Sequence, residues 1–141
     1  MTSGIRIVQA SWWGTAVFTV TAIAATVAPN ALGEVAFVVA VVLFFAGCAA
    51  FVAAYTRAVS RSRHEAVAVS NLFFLTGDTA PPAVRRSLLG SLAVQGGVAL
   101  ATAIARPYTS LAAGTLVPVY GLALCGLWAS HHGKFAPRAS R

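Results

Sequence analysis

The sequence predicts an all-α transmembrane protein: a four-helix bundle of two antiparallel hairpins, with both termini on the cytoplasmic side. Three observations carry this expectation. Of 141 residues, 58% are hydrophobic and only 9% charged, whereas a soluble domain carries about 25% charged residues. Four stretches contain no Asp, Glu, Lys, Arg or His, and each is long enough to cross a hydrocarbon core of about 30 Å as a helix. The ten Lys and Arg residues lie asymmetrically around those stretches. The composition also excludes disorder, because disordered chains are poor in apolar residues and rich in charge.

Residues 1–11 read as a cytoplasmic N-terminal arm and residues 12–129 as the transmembrane domain. The first span, 12–28, opens with Trp12 and Trp13, amphipathic rings suited to the membrane interface. Ser11 is a candidate N-cap. A cleaved signal peptide is the rival reading of this segment, but the apolar run exceeds the usual 7–15 residues. The second span, 35–56, follows a tight turn at Pro29, Asn30 and Gly33. The third, 87–105, and the fourth, 110–129, are joined around Pro107, with Tyr108 at the outer face and Ser110 as a candidate cap. Backbone groups in lipid must pair within their own segment, so helices are the default. A β-barrel needs short segments of alternating polarity, and these runs do not alternate. The two hairpin tips, residues 25–33 and 101–114, are similar strings, and chance similarity in Ala-rich sequence is the simpler account of them.

Orientation follows from the basic residues. The arm carries Arg6, the connection 57–86 carries Arg57, Arg61, Arg63, Arg85 and Arg86, and the tail 130–141 carries Lys134, Arg138 and Arg141. Arg106 alone falls on the other side. The positive-inside rule therefore places both termini in the cytoplasm and the chain in the plasma membrane. Within 57–86, the string AVAVSNLFFL is too short to span. One reading buries it against the inner ends of the bundle; the favoured one is a surface-lying segment that dips Phe73 and Phe74 into the headgroup boundary. The five arginines would contact anionic lipid there, at about 1 kcal/mol each. The +7 charge is thus a topology signal and gives no reason to expect nucleic acid.

Helices in lipid associate by close packing, which small residues permit. Ala46, Ala50 and Ala54 form one four-residue stripe, Ala93, Gly97 and Ala101 a second, and Gly121 and Cys125 a third. These are expected helix–helix faces, within the protomer or between protomers. Gln95 and Tyr120 fall near the bilayer midplane, where each needs a hydrogen-bond partner and the two can serve each other. The simpler reading is interhelical glue; the functional one is a ligand site. Pro118 lacks an N–H and should kink the fourth helix.

Chemistry is sparse. Proton-coupled transporters place ionisable groups within the membrane, and the spans carry no carboxylate. Small four-helix multidrug transporters of similar size carry a Glu in the first helix, which is absent here. Glu34, Glu65 and Asp78 show no catalytic spacing. His131 and His132 are adjacent, unlike the i, i+4 pair of a helical metal site. No catalytic residue, metal site or cofactor is expected.

The second half carries the strings FFLTGDTAPPAVRRSLLGSLAVQ, ALATAIARPYTSLAAGTLVPVYGLALCGLW and HHGKFAPR. On these it resembles an uncharacterised family of small actinobacterial conserved four-helix integral membrane proteins. The resemblance implies a shared scaffold and brings no activity. The expected function is a non-catalytic accessory or scaffold subunit of a larger membrane protein complex. Its partners would be membrane lipids and other integral membrane subunits or a second copy. The alternative is a small oligomeric transporter or lipid-handling protein with a site near Gln95 and Tyr120. An enzyme using His64, Glu65 or Asp78 ranks last.

Overall fold

The computed structural model describes residues 2–106 and 110–139. The described residues form five α-helices: α1 (Thr2–Val27), α2 (Pro29–Arg61), α3 (Val69–Phe74), α4 (Pro82–Ala105) and α5 (Pro118–His132). A 3₁₀ helix, Ser110–Leu116, precedes α5. Four segments are long and apolar enough to cross a membrane: Gly4–Val27, Pro29–Arg61, Pro82–Ala105 and Ala113–His132.

The helices run further than hydropathy alone marks. The expected arm is helical from Thr2, and Ser11 lies inside α1 and not at its cap. The turn expected at 29–34 is itself the start of α2. A single residue, Ala28 (φ −127°, ψ 70°), separates the two helices, and Pro29 occupies the first position of α2. Proline suits that position because its missing N–H would have had no helical partner. The 33 residues of α2 make a helix about 50 Å long. That is longer than a hydrocarbon core of about 30 Å, so α2 exceeds what a single crossing requires.

The fourth span is not one kinked helix over 110–129. Pro118 cannot donate to the Gly114 carbonyl, and the Val117 N–H donates to it instead at 3.0 Å. That tighter i to i+3 pattern belongs to the 3₁₀ helix, and α5 begins at Pro118. Pro118 thus marks a change of helix type. Tyr108 and the 107–109 part of the second similar tip lie outside the described residues.

The largest interface joins α2 to α5, and α1 packs on both α2 and α4. Glycines set the closest approaches. A Cβ at Gly47 would lie 2.7 Å from the Tyr120 Cα, and one at Gly14 would lie 2.3 Å from the Tyr120 ring. Gly121 and Cys125 are buried, so the α5 stripe faces the bundle. On α2 the buried line is Gly33, Ala36, Ala40, Gly47, Ala54 and Ala58. Of the expected stripe, Ala54 lies on this line, Ala50 is half-buried and Ala46 is exposed. On α4 the expected stripe points outward: Ala93, Gly97 and Ala101 are exposed, while Leu88, Ser91, Gln95, Ala99 and Thr102 face inward. Polarity decides this. Ser91, Gln95 and Thr102 must find partners away from lipid, and Gln95 and Gly97 are about 200° apart around the helix. Within one chain, therefore, the α4 stripe is not a packing face.

Candidate functional site

Two regions gather polar side chains. The first is a seam between α1 and α4. At one end the Trp12 indole N–H donates to Ser87 Oγ at 2.7 Å. One turn further, the hydroxyls of Ser11 and Ser91 bond to each other at 2.5 Å. One turn beyond that, Gln95 Nε2 donates to Thr15 Oγ1 at 2.7 Å, and Thr15 donates to the Ser11 carbonyl. The four-residue spacing of Ser87, Ser91 and Gln95 places them on one face of α4. Tyr120 does not serve Gln95; its hydroxyl donates to the Ala10 carbonyl at 2.6 Å. The Gln95 side chain abuts Gly121, where a Cβ would lie 2.4 Å from Oε1. That oxygen and Thr19 Oγ1 are buried without a hydrogen-bond partner. The two expected midplane residues are therefore both internal, each tied to α1.

The second region is the basic end of the bundle, where the start of α1, the end of α2, the start of α4 and the end of α5 meet. Arg61 is its hub. Its guanidinium donates to both Glu65 carboxylate oxygens, at 2.6 and 3.1 Å, and to the carbonyls of Ala129, Ser130 and Gly133 at 3.2, 3.2 and 2.9 Å. It also lies 4.8 Å from the Phe135 ring centre. The last carbonyls of a helix lack internal partners and carry partial negative charge. The planar fork of arginine can satisfy several at once. Arg57 adds Nε to the Ser130 carbonyl at 3.2 Å.

The chain after α2 and the chain after α5 then zip together. Ala66 N–H donates to the Ala136 carbonyl, Arg138 N–H to His64, and Lys134 N–H to Thr79. Arg138 Nη1 donates to the Ser62 carbonyl at 2.9 Å. Arg61, through its hydrogen bonds first and its charge as well, holds the Glu65 carboxyl below the usual carboxylate range. The α3 helix is packed beneath. Phe73 stacks on Phe51 at 5.1 Å and fills the space left by Gly126. The left-handed backbone at Leu75 and Gly77 (φ 54° and 65°) turns the chain toward α4.

This geometry corrects two expected lipid contacts. Arg61 is engaged by protein carbonyls and Glu65, and Phe73 is buried. Both are drawn inward because the α5 carbonyls and the Gly126 gap offer them partners. Phe74, Arg57, Arg63, Arg85 and Arg86 are exposed. Trp128 is buried against His132.

Beside this cap lies a cleft of about 590 Å³, walled by the first turn of α1, the 78–84 segment and the end of α5. Asp78, Trp128, His132 and Lys134 line it. Nothing in the sequence pointed to it, because its walls come from three separate parts of the chain.

Fold and polar interior together define the class: a helical bundle with four helices able to cross a membrane, consistent with a multi-pass membrane protein. No known protein family, curated protein or solved structure matches the chain.

Proposed function

We propose that the chain is a non-catalytic accessory or scaffold subunit of a larger complex in the cytoplasmic membrane. In this reading both termini are inside, and the chain is one of the small actinobacterial membrane proteins that it resembles. The observation that carries the reading is the Arg61-centred cap. It turns the connection after α2 and the tail after α5 into a single shaped surface at the basic end. Shaped surface outside the spans is what a docking subunit offers to partners. The outer face of α2, with Phe37, Phe45 and Val52 exposed, supplies a further apolar surface for lipid or a neighbouring subunit.

A transport or lipid-handling site around Gln95 and Tyr120 is less well supported. A ligand there would first have to break the bonds to Thr15 and the Ala10 carbonyl. Native mass spectrometry of the chain extracted gently from its own membrane tests the proposal. A complex with other membrane subunits is the expected result; a lone monomer in every preparation overturns it.

A further inference from the structure

The cleft at the basic end does not stop at its mouth. A second groove of about 240 Å³ shares Gly4, Ile5 and Val84 with it and continues between α1 and α4, past Val8 and Ala83, to Ser87. There the Trp12–Ser87 hydrogen bond crosses the seam and closes it. The result is a largely apolar mouth that carries charged side chains at its edge and continues as an open apolar slot along α1 and α4. Ile5, 58% exposed, lines both parts.

The mouth carries two opposite charges, Asp78 and Lys134. Both are exposed. Among the described residues the one ion pair is Arg61–Glu65, so these two charges sit on one cleft without pairing with each other. A single anion would meet Asp78 repulsion there, and a single cation would meet Lys134. A zwitterion satisfies both. The slot asks for an alkyl chain, and the level of the cleft, at the ends of the spans, is that of lipid headgroups.

We infer that this cleft binds one phospholipid with a primary ammonium headgroup, of the phosphatidylethanolamine type. Its phosphate faces Lys134, its ammonium faces Asp78, and one acyl chain occupies the slot between α1 and α4. A choline headgroup brings the same charges but cannot donate hydrogen bonds to Asp78. A glycerol headgroup leaves Asp78 beside an uncompensated anion.

The test uses the full chain in nanodiscs of equal parts phosphatidylethanolamine, phosphatidylglycerol and phosphatidylcholine, with the retained lipid counted by native mass spectrometry. All three lipids carry the phosphate that faces Lys134, so only the ammonium–Asp78 contact discriminates, and one exposed charge pair predicts enrichment of the ethanolamine lipid by roughly 1.5- to fivefold. Asp78→Asn should abolish that preference and favour phosphatidylglycerol. Ala83→Trp, at an exposed position that leaves the core alone, should fill the slot and lower retention of every lipid. Equal retention of the three lipids by the native chain overturns the inference, as does a preference for phosphatidylglycerol. An unchanged preference in Asp78→Asn, or unchanged retention in a folded Ala83→Trp, also overturns it.

Discussion

Gly47 and Gly97 are the same residue in the same kind of helix, and their substitutions should behave oppositely. A Cβ at Gly47 meets the backbone of Tyr120, which cannot swing aside, whereas nothing lies within 4 Å of one at Gly97. Gly47→Ala should therefore force α2 and α5 apart and lower the unfolding temperature in detergent sharply. Gly97→Ala should leave it unchanged or raise it, because Ala is favoured over Gly in a helix by about 1 kcal/mol. The seam between α1 and α4 gives a second contrast. Gln95→Leu removes one hydrogen bond together with an oxygen that has no partner, so its cost should stay within about 1 kcal/mol. Thr15→Val leaves the whole Gln95 amide buried and unpaired, at about 1–3 kcal/mol. Equilibrium unfolding of the two variants in mixed micelles would rank them; a more severe loss in Gln95→Leu would contradict the assignment.

At the level of elements, the cap depends on one side chain more than on any helix. Arg61→Ala removes the donors that reach three carbonyls at the end of α5 and leaves Glu65 without its partner. Charge-assisted hydrogen bonds of this kind support a loss of about 2 kcal/mol, confined to the cap. Amide exchange should rise in residues 64–66 and 134–138 while the spans keep their protection. Acid should act through the same contact. The folded Glu65 carboxyl lies below its ordinary value, so its contribution is complete above the unfolded carboxylate value. It is lost as pH falls through the lower folded value. Cap protection, corrected for intrinsic exchange rates, should decline below about pH 4. Glu65→Gln should flatten that dependence.

For the whole molecule, the four helices long and apolar enough to cross a membrane were legible in the sequence because hydropathy acts on every residue of a segment at once. The long runs free of charge mark helices whose apolar surface lies on all sides. The cap was not legible. Arg61 reaches Ala129 and Gly133 through backbone carbonyls, which every residue carries and no sequence pattern distinguishes. The facing of α4 is hidden for a related reason: small residues mark one face, but Ser91 and Gln95 have stronger cause to turn inward. The outward Ala93–Gly97–Ala101 face retains one use consistent with a subunit role. If a partner packs there, Gly97→Leu should reduce the partner's retention in native mass spectrometry without changing the stability of the isolated chain. Unchanged retention would place the partner on another face.

The pairing of residues 64–66 with 136–138 also fixes an order of events during synthesis. The second half of that pair leaves the ribosome only after α5 has been made, so Arg61 has no helix end to cap until all four spans have been translated. The closed cap therefore reports a finished insertion. A chain halted after α4 would carry Arg61 and Phe73 uncovered, the kind of surface that a membrane quality-control protease can recognise.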